Sequence, residues 1–107
     1  MVKEITPGEF VQRRAAGAEM TLLDVREDWE VQLAPAPTAF KHVPMGQLSG
    51  RLSELDPKQE IVVICRSGGR SMQVARYLDG QGYGSVSNLT GGILAWSREL
   101  DPTIPTY

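Results

Sequence analysis

Cysteine and histidine are almost missing from this chain of 107 residues, which has only Cys65 and His42. A lone thiol excludes an internal disulfide, and one cysteine with one histidine cannot furnish a four-ligand zinc site. A Ser–His–Asp mechanism would have to run through His42, which sits in an apolar-flanked segment away from any nucleophile-like turn. Covalent chemistry therefore uses Cys65 or does not occur. Excess charge is missing too: 11 basic residues stand against 13 acidic ones, a formal net of −2. That balance excludes the strongly basic footprint of a non-specific nucleic-acid binder. No run approaches the roughly 18 apolar residues of a membrane span. Residues Met1 to Pro7 carry no apolar core of a signal peptide, so a cytoplasmic location is expected. What is present is ordinary globular composition, 41% hydrophobic, in a length that suits one domain over 1–107.

The chain reads as alternating strands and helices without a linker or a repeat. Thr6-Pro7-Gly8-Glu9 predicts a helix start, with Thr6 as cap, Pro7 at the first helical position and Glu9 completing a capping box. Phe10, Val11, Ala15 and Ala18 supply its apolar stripe, and Gly17 its stop. Met20 to Val25 is a short apolar run that reads as a strand buried on both faces. Glu27-Asp28-Trp29-Glu30 opens a short helix, which Pro35 and Pro37 limit. Ala39 to Val43 reads as a short strand. Leu48, Leu52 and Leu55 follow at helical spacing up to Asp56-Pro57. Ile61-Val62-Val63-Ile64 is the clearest strand, four β-branched residues in succession. A helix through Met72, Ala75 and Leu78 follows, then a strand over Ser85–Leu89. Ile93, Trp96 and Leu100 mark one face of a last helix. Trp29 and Trp96 read as core or helix-packing aromatics, and Gly91-Gly92 as permitting close approach of that helix to the sheet. Such alternation implies a mainly parallel sheet with helices on both sides.

Ligands of such sheets bind at the carboxyl ends of the strands, and Cys65 is the first residue past one. The segment continues Arg66-Ser67-Gly68-Gly69-Arg70-Ser71. Two glycines let the backbone curl tightly, turning the amides of residues 66 to 71 toward a common centre. Such a nest binds anions, reinforced by the dipole of the helix starting near Ser71. A sulfur at that centre is stabilised as thiolate. Arg66 and Arg70 add forked donors suited to oxyanions. Ser67, Gly68 and Gly69 act through backbone shape and amides. Asp24 and Arg26 are expected to brace the strand end as an ion pair, and His42 to pack without a catalytic role. A thiolate beside an oxyanion receptor suits attack on phosphorus or on a sulfane sulfur. Cysteine phosphatases use Cys-x5-Arg, whereas four residues separate Cys65 from Arg70. The smaller cradle favours one transferred sulfur atom over a phosphoryl group. Sulfite also leaves without needing a proton.

Four segments together resemble the rhodanese-like sulfurtransferase family over nearly the whole chain. They are Leu22 to Glu27, His42 to Met45, the Cys65–Ser71 loop and Asn88 to Trp96. The resemblance implies a three-layer α/β/α fold with a central parallel five-stranded sheet, and a persulfide carried on Cys65. It further implies a small donor anion such as thiosulfate, a thiol or cyanide acceptor, ping-pong kinetics, and neither metal nor organic cofactor. The tail, Asp101 to Tyr107, resembles the ends of rhodanese domains fused to adenylyltransferases. That points to a sulfur-carrier protein or a cysteine desulfurase as partner. Two other readings are a small cysteine phosphatase or arsenate reductase of related fold, and a non-catalytic interaction module.

Overall fold

A computed structural model describes all 107 residues. Five strands, β1 (Lys3–Ile5), β2 (Met20–Asp24), β3 (Lys41–His42), β4 (Glu60–Ile64) and β5 (Val86–Leu89), form one sheet in the order β1-β5-β4-β2-β3. Every neighbouring pair is parallel. Helices α1 (Pro7–Ala15), α2 (Asp28–Leu33) and α3 (Gly69–Gly80) lie between strands, and α4 (Gly92–Glu99) follows β5. The parallel five-stranded α/β architecture is as expected. No helix is long and apolar enough to cross a membrane.

Side chains of a strand alternate between the two faces of its sheet, and two separate cores result. Leu23, Ile61 and Val63 pack with Val74, Ala75 and Leu78 of α3. Leu22, Val62 and Ile64 pack on the other face with Phe10 of α1 and Ile93 and Trp96 of α4. Phe10 meets the Trp96 ring edge-on, with centroids 5.7 Å apart. The capping box at Thr6 forms as the sequence predicts. The Thr6 hydroxyl accepts from the Glu9 amide at 3.1 Å, and the Glu9 carboxylate accepts from the Thr6 amide at 3.0 Å.

The structure departs from the sequence reading at several local points. Strand β1 has no counterpart in the sequence reading, because its three residues show no apolar pattern and two of them are exposed. It is held by main-chain pairing with β5, by Ile5 in the core and by the bonds of Glu4 to Asn88 and Thr90. Leu48, Leu52 and Leu55 do not share a helix: Met45–Gly50 and Leu52–Glu54 are two short 3-10 helices. Gly46 and Gly50 weaken this stretch for α-helix, and the tighter helix is the form short pieces take. Trp29 is not a core residue, being 60% exposed, and Leu100 lies just past α4, also exposed. Val11 likewise faces solvent.

Candidate active site

The alternation in β4 decides where Cys65 points. Residues 61, 63 and 65 share the face covered by α3, so the thiol is delivered to that helix's N-terminus. Here Gly68 adopts φ +110°, a left-handed conformation open to glycine, and caps α3. The helix therefore begins at Gly69, two residues before the start near Ser71 expected from the sequence. Cys65 is buried, while Arg66, Ser67 and Gly69 of the same loop are exposed. The Gly68 amide donates to Cys65 Sγ at 3.1 Å, and Ser71 Oγ lies 3.2 Å from it. Burial pushes the Cys65 thiol up. Hydrogen bonding by the Ser71 hydroxyl and the amides of Ser71, Gly68 and Ser67 outweighs burial and holds it below the ordinary cysteine range.

The loop is closed from behind by the start of α4. The Ile93 amide donates to the Cys65 carbonyl at 2.9 Å, and the Leu94 amide to the Arg66 carbonyl at 3.1 Å. Gly92, at φ +61°, makes this approach possible. A Cβ there would overlap the Cys65 carbonyl oxygen and lie 2.5 Å from the Arg66 carbonyl oxygen. The Gly91-Gly92 pair thus sets the helix against the loop as well as against the sheet.

Both arginines of the loop have partners within the chain. Arg70 forms a forked pair with Glu30 of α2, at 2.6 and 2.9 Å. The Tyr107 hydroxyl donates to the same carboxylate at 2.8 Å and accepts from Arg26 at 3.0 Å. Arg66 donates to the Tyr107 main-chain oxygen, with its guanidinium 5.2 Å from that ring's centroid. Trp29 packs edge-on against Tyr107, centroids 5.7 Å apart. Asp24 and Arg26 form the expected pair at 2.7 Å, wholly buried, with Arg26 also donating to the Ala34 carbonyl. His42 Nε2 lies 2.7 Å from the Arg26 carbonyl, which agrees with a packing role.

The seven loop residues singled out in the sequence are therefore together, but Glu30, Tyr107 and Asn88 are functional neighbours that sequence reasoning left without a role. Asn88 accepts from Ser71 Oγ at 2.5 Å. Its available signal was polarity: Ser87-Asn88 interrupts a strand that is otherwise apolar and wholly buried. Glu30 completes the Glu27 capping box of α2, a local pattern that hides its longer-range bond to Arg70.

Residues 6–99 match the Rhodanese-like domain family. The chain belongs to that family. Among its rhodanese-like relatives, YtwF of Bacillus subtilis (strain 168) is 44% identical over 101 residues, covering 94% of this chain and 96% of that protein. A sulfurtransferase of Allochromatium vinosum is 40% identical over 104 residues, covering 97% of this chain and 96% of its own. The Rhodanese-like/PpiC domain-containing protein 12, chloroplastic, of Arabidopsis thaliana is 47% identical over 93 residues. That alignment spans 83% of this chain but 31% of the plant protein. Among solved structures, the rhodanese-like domain protein of Staphylococcus aureus superposes with a TM-score of 0.83 at 26% identity, covering 99% of each chain. The thiosulfate sulfurtransferase of Pseudomonas aeruginosa gives 0.80 at 28% identity, over 91% of this chain and 19% of that one.

Two outcomes follow from this geometry. Gly92→Ala combines a left-handed backbone with overlap on two loop carbonyls, and is expected to lower stability by at least about 1–3 kcal/mol in urea unfolding. Gly69→Ala, with open space at its Cβ, stays within about 0.5 kcal/mol in the same experiment. The second outcome concerns acid. The forked bond from Arg70 holds the Glu30 carboxyl at about 2, from an ordinary 4.5, against the opposing effect of burial, with help from the Glu27 amide and Tyr107. A carboxyl lowered in the folded state contributes its stabilisation fully above 4.5 and loses it as pH falls toward 2. Glu30→Gln should therefore be less stable at neutral pH and show a flatter stability profile across that acid window.

Proposed function

We propose that this chain, acting as one domain over residues 1–107 in a cytoplasmic setting, is a sulfurtransferase that carries a sulfane sulfur on Cys65. The observation that carries this reading is the thiol lowered within a ring of donors from Ser67, Gly68 and Ser71. The sulfurtransferase name of its Allochromatium relative supports it. In the first half-reaction the Cys65 thiolate attacks the outer sulfur of thiosulfate or a related donor. A new S–S bond forms at Sγ as the donor's own S–S bond breaks, and sulfite departs with the electron pair. The terminal persulfide sulfur carries the negative charge, which the loop amides stabilise. An acceptor thiolate or cyanide then attacks that sulfur, and Sγ leaves as thiolate. Electrons balance over the two steps without a cofactor, and the order of events is ping-pong.

The residues take their roles from the loop. Cys65 is the nucleophile, Ser67, Gly68, Gly69 and Ser71 supply amides or a hydroxyl, and Arg66 and Arg70 receive the anionic donor at the rim. Because Arg70 is already neutralised by Glu30, the amides and Arg66 carry the larger share of anion binding. A sulfur-carrier protein or a cysteine desulfurase suits the exposed rim as a partner, since Arg66, Ser67 and Trp29 are all accessible there.

Incubation with thiosulfate should add the mass of one sulfur atom to the intact chain, and Cys65→Ser should abolish the gain. Persistence of the adduct in Cys65→Ser, or its absence from the native protein, would overturn the assignment. Turnover of an aryl phosphate at a rival rate would instead favour phosphoryl chemistry.

A further inference from the structure

Asn88 lies on β5, outside the nucleophile loop, yet one hydroxyl separates it from the thiol. It is buried, and its side-chain amide orientation is dictated by what surrounds it. Its Nδ2 lies 3.3 Å from the Gly68 carbonyl and 3.4 and 3.3 Å from the two carboxylate oxygens of Glu4. All three neighbours are acceptors only, so the NH2 must face them and Oδ1 must face Ser71. The Ser71 hydroxyl has a single proton, and Oδ1 can only accept, so that proton lies on the line to Asn88. With the proton there, Ser71 Oγ offers the neutral S–H a lone pair, and its donation to the thiolate requires the O–H to turn away from Oδ1. When Cys65 ionises, its proton leaves to solvent and the Ser71 O–H must rotate from Oδ1 to Sγ. That rotation strands Oδ1 without its buried donor, which carries a cost.

We propose that Asn88 is a positioning residue that competes with the Cys65 thiolate for the Ser71 proton, and so restrains ionisation of the nucleophile. Other charges around the thiol act on it independently of this switch. They are Arg66 and Arg70 of the loop and α3, Glu30 of α2 behind Arg70, the Asp24–Arg26 pair at the end of β2, and Glu4 of β1 behind Asn88. The charged residues of α4, Arg98 and Glu99, lie in its last turn, away from the loop. The restraint has a functional sense in sulfur transfer, because a thiolate of less depressed pKa is intrinsically the stronger nucleophile toward the donor's outer sulfur. It rests on Cys65 being the nucleophile of the proposed function.

The test is the pH profile of iodoacetamide alkylation of Cys65, a reading that needs no sulfur donor and is therefore separate from any failure of sulfur transfer. Asn88→Leu, close to isosteric, and Asn88→Ala should both release the Ser71 proton to Sγ. The alkylation midpoint is expected to fall by about half to one pH unit, a roughly three- to tenfold rise in thiolate on the acid side. In a Ser71→Ala background the same substitutions should leave the midpoint in place, since the contested proton is gone. A midpoint that does not fall in the Ser71 protein would overturn the proposal. So would an equal fall in both backgrounds, which marks a general loosening of the loop. Should Asn88→Ala fail to fold, Asn88→Leu with and without Ser71→Ala completes the comparison.

Discussion

Everything at the site depends on two hydrogen bonds from the first turn of α4 to the back of the nucleophile loop. A trans peptide is planar, so its C=O and N–H point in opposite directions. Tying the Cys65 and Arg66 carbonyls outward to Ile93 and Leu94 turns the amides that follow them away from α4, and the Ser67 amide is among the donors to the sulfur. The Gly68 amide follows as the chain enters α3, and Gly92 lets α4 come close enough to hold the arrangement. The loop's inward donors are a consequence of where its acceptors are anchored.

A second layer holds the loop from the opposite side. Glu30 fixes Arg70, Tyr107 fixes Glu30, and the buried Arg26 joins Tyr107 to Asp24 and Ala34. No buried side-chain nitrogen or oxygen lacks a partner, so these charges are enclosed with their hydrogen bonds complete. The cost of enclosing them is offset by pairing, as with Asp24 and Arg26, and the pair with Glu30 limits how strongly Arg70 attracts an anion. The rim is thus less cationic than the two arginines of the sequence imply. The main-chain donors at Cys65 carry correspondingly more of the proposed chemistry.

Much of this was legible in the sequence, and the illegible parts share a physical cause. Ile61 to Ile64, followed by Cys65, two glycines and two arginines, announces a buried strand ending in an anion nest, because burial and backbone freedom are local properties. The capping box of α1 is legible for the same reason. β1 is not, since three residues held by pairing with β5 carry no apolar signature. The 3-10 geometry of Met45–Gly50 and Leu52–Glu54 escaped because leucine spacing suits a helix while the glycines between weaken one. Trp29 was misplaced because an aromatic that packs on a distant tail residue looks, in sequence, like a core residue. The roles of Glu30, Asn88 and Tyr107 are tertiary: each bonds a group at least 17 residues away.

The central claim is that sulfur is stored on Cys65 between two separate events. The most direct measurement loads the protein with thiosulfate, removes the donor by gel filtration, and then adds cyanide alone. The expected result is release of one equivalent of thiocyanate with return of the chain to its unmodified mass. Thiocyanate that forms only when donor and cyanide are present together would contradict the claim, because no sulfur would then have resided on the thiol.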